Sequence, residues 1–118
     1  MTMADRRATP RLEVLGQLHG YLVSLEVSLV VRDLSAGGFS VESVVPFPPG
    51  ARHPFRFTAS TGMEITVEAV VMHSRPHGLA GGQALYVTGF AFCHDSEHYR
   101  ARAVDDLLGA LASARQFR

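Results

Sequence analysis

The sequence predicts an all-β domain: a small antiparallel β-barrel of about six strands, followed by one C-terminal α-helix. Apolar and polar residues alternate with a period of two along most of the chain, and segments that contain glycine or proline interrupt the alternation at short intervals. The period changes to that of a helix only after Cys93. At 118 residues, the chain is long enough for one domain with a substantial buried core.

Composition and charge limit the classes of function. The formal net charge is zero, which argues against a general nucleic-acid binder that depends on a broad positive field. Cys93 is the only cysteine, which fits a reducing compartment, and no apolar run is long enough to span a bilayer. We therefore expect a soluble, cytoplasmic protein without membrane insertion.

Residues 1–11 are predicted to form a flexible arm, and residues 12–118 the barrel with its helix. Pro10 has no backbone donor and favours an extended conformation at Thr9, so the arm should be extended. The arm carries a cluster of basic side chains, which consists of Arg6, Arg7 and Arg11.

Two strands are expected between the arm and the first polar turn. Alternation from Leu12 to Leu18 predicts a first strand, with His19–Gly20 as the turn that follows it. The strongest alternation runs from Tyr21 to Arg32 and predicts a single long, half-buried strand. One face of this strand is expected to hold Tyr21, Val23, Leu25, Val27, Leu29 and Val31.

The long strand runs into Asp33-Leu34-Ser35-Ala36-Gly37-Gly38, which we interpret as a turn between strands. Asp and Ser side chains bond readily to nearby backbone, and glycine tolerates the positive φ that tight turns often require. Alternation resumes at Phe39 and predicts the next strand, up to Ser43. The turn is therefore expected at the end of the longest strand.

The second half of the predicted barrel is divided by its turn residues. The segment Pro46–Gly50 cannot continue a ladder, because its prolines have no backbone donor, and is expected to be a loop. Phe55–Ala59 and Ile65–Val71 predict a hairpin. Arg75–Gly82 is rich in glycine and is expected to be a mobile loop before the last strand, Leu85–Phe92.

Beyond Cys93 the hydrophobic period becomes that of an amphipathic helix. Its apolar stripe consists of Val104, Leu107, Leu108 and Leu111. We expect this stripe to pack on the barrel. Its alternative use is as a homodimer or partner surface.

The arm and the turn carry side chains that suit a guanine nucleotide. Arginine binds phosphate bidentately and matches the O6 and N7 acceptors of guanine, whereas a carboxylate accepts from the N1 and N2 donors of the base. Such a ligand could be held if the strands bring Arg7 and Arg11 beside Asp33. Gly37 and Gly38 would let the backbone approach the ligand closely.

Two motifs in this order resemble the paired signature of PilZ domains. The first is Arg6-Arg7-x-x-x-Arg11, and the second, after a strand pair, is Asp33-x-Ser35-x-x-Gly38. The segments Gly38–Val41 and Val87–Phe92 are similar to strands of the same family. The resemblance covers essentially the whole chain, and the two motifs together are far more specific than either one alone.

The resemblance implies a six-stranded antiparallel β-barrel that binds cyclic di-GMP on its outer surface and signals through a protein partner, which the sequence does not identify. It implies a receptor and not an enzyme, with cyclic di-GMP as the ligand and no cofactor. Arg7 and Arg11 would contact phosphates and guanine edges. The turn would shape the guanine site through Asp33, Ser35 and Gly38.

The resemblance also suggests how the arm is used. In similar domains, an arginine at the position of Arg6 favours a stacked ligand dimer, which implies two ligand molecules per site. Ligand binding would order residues 5–11 against the barrel and so change the surface that is offered to a partner.

One alternative remains open, a nucleotide-independent PilZ-like adaptor that keeps the turn but binds no ligand. A small-barrel oligonucleotide binder is disfavoured, because the strand faces are apolar opposite Ser and Glu rather than basic and aromatic. No metal is expected, because neither His73 with His77 nor Cys93-His94 with His98 reaches the three or four ligands of a metal site. No nucleophile-elbow or zincin pattern supports catalysis.

Overall fold

The computed structural model describes residues 11–96 and 101–116. The described part of the chain forms a sheet of seven strands and one long helix. In chain order the elements are β1 (Leu12–Glu13), β2 (Leu18–Leu22), β3 (Val27–Leu34), β4 (Gly38–Ser43), β5 (Arg52–Ala59), β6 (Glu64–Ala80), β7 (Gln83–Phe92) and α1 (Ala101–Gln116).

Six of the strands close into an antiparallel barrel. Their spatial order is β3, β2, β5, β6, β7 and β4, and β4 pairs back with β3 to complete the ring. The two-residue strand β1 is the extra one, and it pairs with the end of β3 through Leu12 opposite Leu34 and Glu13 opposite Asp33. The predicted fold class, a small six-stranded antiparallel barrel with a C-terminal helix, is confirmed.

The core is built around Phe39. Its ring centroid lies 5.0 Å from that of Phe55, 4.8 Å from Phe57 and 4.9 Å from Phe90. Phe39 and Phe57 meet edge to face, whereas Phe39 and Phe90 are stacked, both favourable arrangements for aromatic pairs. Because these rings come from β4, β5 and β7, one aromatic cluster packs strands from different parts of the barrel against each other.

The C-terminal helix joins the same core. Val104, Leu107 and Leu111 of α1 are fully buried and belong to one apolar cluster with the barrel residues. Leu108 packs against that cluster while partly exposed. The predicted apolar stripe of the helix is therefore a packing face. Among the described residues, no helix has the length and apolarity that crossing a bilayer demands.

The predicted long strand from Tyr21 to Arg32 is wrong. The chain reverses within it, through a 3-10 helix at Val23–Leu25 and Glu26, which takes a left-handed φ of 55°. β2 and β3 are thus a hairpin. The turn went unpredicted because it contains no glycine or proline, and because Val23 and Leu25 continue the apolar alternation although both are exposed in the structure.

The predicted first strand and its turn are also wrong. The strand from Leu12 is only two residues long, and His19–Gly20 lies inside β2 rather than in a turn. Gly20 is small for a packing reason, since a Cβ there would lie 2.8 Å from Cγ2 of Val31. Inward residues of β2 are even-numbered, so Leu22 is buried, while Tyr21 lies outside beneath the Arg56 guanidinium.

The predicted mobile loop at Arg75–Gly82 is strand for most of its length. β6 continues to Ala80, and Ala80 pairs with Gln83 of β7. Only Gly81 and Gly82 form the turn, both with positive φ. The expected loop at Pro46–Gly50, the hairpin of β5 with β6 and the strand that begins beside Phe39 are all present.

Gly38 and Gly37 give a matched test of this packing. A Cβ at Gly38 would collide with the carbonyl oxygen of Phe90 and lie 3.1 Å from Cα of Ala91, whereas a Cβ at Gly37 would meet nothing within 4 Å. We expect Gly38→Ala to lower the free energy of unfolding by at least about 2 kcal/mol and Gly37→Ala to change it by less than about 0.5 kcal/mol, measured by urea denaturation. Equal effects of the two substitutions would contradict the described approach of β4 to β7.

Candidate functional site

The turn between β3 and β4 is held by its own hydroxyl and by β7. The Ser35 amide donates to the Gly38 carbonyl at 2.8 Å, and the Ser35 hydroxyl accepts from the Gly37 amide at 3.2 Å. The Phe92 amide donates to the Gly37 carbonyl at 3.0 Å. The Ser35 side chain is buried, with 4% exposed, and stabilises the turn through these bonds. The stabilised turn positions the neighbouring Asp33.

The sequence-based reason for the two glycines is wrong in part. Neither Gly37 nor Gly38 adopts a positive φ. Gly38 is required because the β4 backbone passes so close to Phe90 and Ala91 that no side chain fits. Gly37 has open space around it and carries no such constraint.

Asp33 binds one partner with each carboxylate oxygen. Oδ1 accepts from Nη1 of Arg11 at 2.5 Å, and Oδ2 accepts from the Ser40 hydroxyl at 2.9 Å. The Arg11 side chain is 60% exposed and that of Asp33 is 26% exposed. The predicted meeting of Arg11 with Asp33 is therefore present, and a ligand can reach both groups from solvent.

A bulge in β3 places Asp33 on the outer face. Val31 pairs with Val41 and Asp33 pairs with Ser40, so Arg32 is an extra residue on β3. Without the bulge, strict alternation after the buried Val31 would put Asp33 inside the barrel. The bulge instead gives the outer face two consecutive side chains, Arg32 and Asp33.

A second bulge does the same on β6. Val71 pairs with Phe90 and His73 pairs with Gly89, so Met72 is the extra residue. Val71 is buried, whereas Met72 and His73 are both exposed. Each bulge therefore adds a second consecutive side chain to the outer surface.

The register of four strands sets these residues in one transverse row. Asp33 of β3 pairs with Ser40 of β4, Ser40 pairs with Gly89 of β7, and Gly89 pairs with His73 of β6. We call Asp33, Ser40, Gly89 and His73 the cross-strand row. Its two middle members are a small hydroxyl residue and a glycine, so neither carries a long side chain that would fill the space between Asp33 and His73.

The cross-strand row is the floor of an open groove of about 710 Å³. Arg11, Arg32 and the turn line one end, and Met72 and His73 line the other. Nε of Arg32 lies 3.4 Å from Oε2 of Glu42, a partly exposed ion pair. One end of the groove therefore offers two guanidiniums and one carboxylate, which can bind an anion and the donor edge of a planar base.

Sequence reasoning missed Ser40, Arg32 and His73. Alternation with the apolar Phe39 and Val41 could have placed Ser40 outside, but its pairing with Asp33 depends on the bulge. His73 also lies on the outer face because of a bulge, whereas alternation after the buried Val31 puts Arg32 outside in either case. Arg6 and Arg7, which were predicted as site residues, lie outside the described residues.

A second open groove, of about 490 Å³, lies between β2, β3 and β5. Its lining includes His19, Ser28 and Thr58, together with apolar residues such as Leu18 and Val30, and contains no arginine. This groove lacks the paired guanidinium and carboxylate of the first, so it suits a guanine nucleotide less well.

The remaining reactive side chains that the structure describes offer no group suited to a metal ion. No cluster of three His, Cys, Asp or Glu residues that could hold a metal occurs in ranges 11–96 and 101–116, and His98 lies outside them. Cys93 is buried, and burial raises the pKa of its thiol, which keeps it protonated and weakly nucleophilic. Burial lowers the pKa of His53.

Taken together, the closed barrel, the C-terminal helix and the arginine–aspartate groove define a small β-barrel binding domain. The PilZ domain family model matches residues 5–109. The chain belongs to the PilZ domain family. A comparison with curated proteins gives no match.

Solved PilZ structures share the fold. The PilZ domain of YcgR from Escherichia coli, solved with c-di-GMP, is similar with a TM-score of 0.70 and 15% identity, covering 95% of each chain. The MrkH–c-di-GMP complex of K. pneumonia gives a TM-score of 0.69 at 18% identity, over 97% of this chain and 56% of that chain. The PilZ domain of CeSA from a cellulose-synthesizing bacterium gives 0.55 at 18% identity, over 88% and 99% of the two chains.

Proposed function

We propose that this chain is a cytoplasmic cyclic di-GMP receptor, not an enzyme, that signals through a protein partner. The observation that carries the proposal is the contact of Arg11 with Asp33. These residues are 22 positions apart in the sequence, and their side chains meet at the edge of the groove. Membership of the PilZ family and the presence of c-di-GMP in the YcgR and MrkH structures support the choice of ligand.

The chemistry of binding is an exchange of partners. Guanine offers N1 and N2 donors to Asp33 in place of Arg11, and the released guanidinium takes a phosphate or the O6 and N7 edge of the base. Each charge keeps an opposite or polar partner throughout, so the exchange leaves no buried unpaired charge. Ser40 remains bonded to Oδ2 and holds the carboxylate in its orientation.

The cost of opening the site is small. The Arg11–Asp33 pair is partly exposed, and such surface pairs contribute at most about 1 kcal/mol to stability. A ligand that replaces it with several charge-assisted hydrogen bonds gains more than it loses, because each contributes about 1.5–3 kcal/mol. The pair therefore holds both side chains at the groove and is weak enough for a ligand to replace it.

The basic cluster of the arm completes the proposed site. Arg11 lies at the groove, and Arg7 and Arg6 precede it in the sequence. We assign Arg7 to the ligand phosphates and Arg6 to a second, stacked ligand molecule. We propose that ligand binding orders residues 5–11 against the barrel. The partner would then recognise the surface that the ordered arm changes.

Calorimetric titration with cyclic di-GMP tests the site. We expect Arg7→Ala, Arg11→Ala and Asp33→Ala each to weaken binding at least about tenfold, because each removes a charge-assisted contact. The matched controls are Arg56→Ala and Asp105→Ala, which lie outside the groove and should bind as wild type. We expect wild type to bind two ligand molecules per chain and Arg6→Ala to bind one.

The same titration separates the alternatives. Unfolding curves of Arg11→Ala should stay within about 1 kcal/mol of wild type, so that lost binding is not lost folding. Binding that is unaffected by both Arg11→Ala and Asp33→Ala would refute the site. No binding by wild type would favour the nucleotide-independent adaptor, and a single ligand per wild-type chain would refute the stacked dimer.

Hydrogen exchange tests the role of the arm. We expect cyclic di-GMP to slow amide exchange at residues 5–11, because contacts of Arg7 and Arg11 with the ligand hold the backbone against the barrel. The hairpin turn at Gly81–Gly82, which does not line the groove, is the internal control and should exchange at the same rate. Equal exchange of the arm with and without ligand would contradict arm ordering.

A further inference from the structure

His73 lies at the end of the cross-strand row that the proposed guanine contacts leave unused. It is exposed on β6, and its side chain has no hydrogen-bond or ion-pair partner among the described residues. The bulge at Met72 brings it onto the outer face in register with Gly89. Bulges are commonly found beside binding sites, where they redirect a side chain.

The imidazole extends over β7 rather than away from the barrel. A Cβ built on Gly89 would lie 2.7 Å from Nε2 and 2.8 Å from Cε1 of His73, so the ring occupies the space above this glycine. Any side chain at position 89 would displace it. Gly89 thus allows the ring to approach Ser40 and the centre of the groove.

The spacing of the row separates His73 from the Asp33 end. Adjacent strands lie about 4.8 Å apart, so the three steps from Asp33 to His73 span about 14 Å. Ser40 lies one strand from Asp33 and Gly89 lies two strands away, so a base bonded to Asp33 leaves the far end of the row free. The imidazole over Gly89 is then positioned for a second ring, and a cyclic dinucleotide carries two bases.

We propose that His73 forms a second purine subsite, in which its imidazole stacks on a base of the bound dinucleotide. This inference rests on the proposed function, because it assigns a contact to the same ligand. Stacking uses the face of the ring and does not read the base edge, so Asp33 selects guanine and His73 adds affinity. The exposed thioether of Met72, beside His73, supplies a further apolar contact at this end.

Calorimetric titration of wild type, His73→Ala and His73→Phe with cyclic di-GMP tests the subsite. We expect His73→Ala to weaken binding about tenfold, as is typical when an aromatic residue that stacks on a base is removed. His73→Phe keeps a flat ring and should bind within about threefold of wild type. His77→Ala is the matched control: His77 is exposed on the same strand, does not line the groove and should have no effect.

The proton spectrum of the His73 ring gives a direct readout. A stacked base should move its carbon-bound ring protons upfield on addition of cyclic di-GMP, while those of His77 stay unchanged. His73→Ala binding as tightly as wild type would overturn the subsite, and so would His73→Phe binding as weakly as His73→Ala. No binding by wild type would overturn both proposals, whereas loss with Asp33→Ala but not with His73→Ala would overturn only this one.

Discussion

The position of β4, the strand that completes the barrel, depends on its close approach to β7 at Gly38. No side chain fits between Gly38 and the Phe90 and Ala91 backbone, and the adjacent Gly37 carbonyl accepts from the Phe92 amide. Because β4 also pairs with β3, the strand held by this contact is the one that completes the ring. The turn that carries the Asp33 motif is therefore held by the same backbone packing of β4 against β7.

Two bulges shape the outer surface of this closed barrel at the groove. Strict alternation would give each strand one outward side chain in every two residues, whereas the bulges bring Asp33 outside beside Arg32 and His73 outside beside Met72. The small residues of the cross-strand row keep the surface between them open. Under the proposed function, the barrel contributes a rigid, preorganised floor, and the arginines supply the part that changes partners when the nucleotide binds.

Much of this architecture could be predicted from local patterns, because local chemistry decides it. The polar turn after Asp33, the proline loop and the helical stripe around Leu107 follow from residue type and period. The β2–β3 hairpin could not be predicted, because it turns through Glu26 within an unbroken apolar alternation. The row from Asp33 to His73 depends on register across four strands and on bulges, which no short segment encodes.

Amide chemical-shift mapping with cyclic di-GMP shows whether the cross-strand row binds the nucleotide. We expect the largest shift changes at Asp33, Ser40 and Gly89, which lie on three neighbouring strands of the folded barrel. Changes concentrated at His19 and Thr58, in the second groove, with the row unaffected, would contradict it.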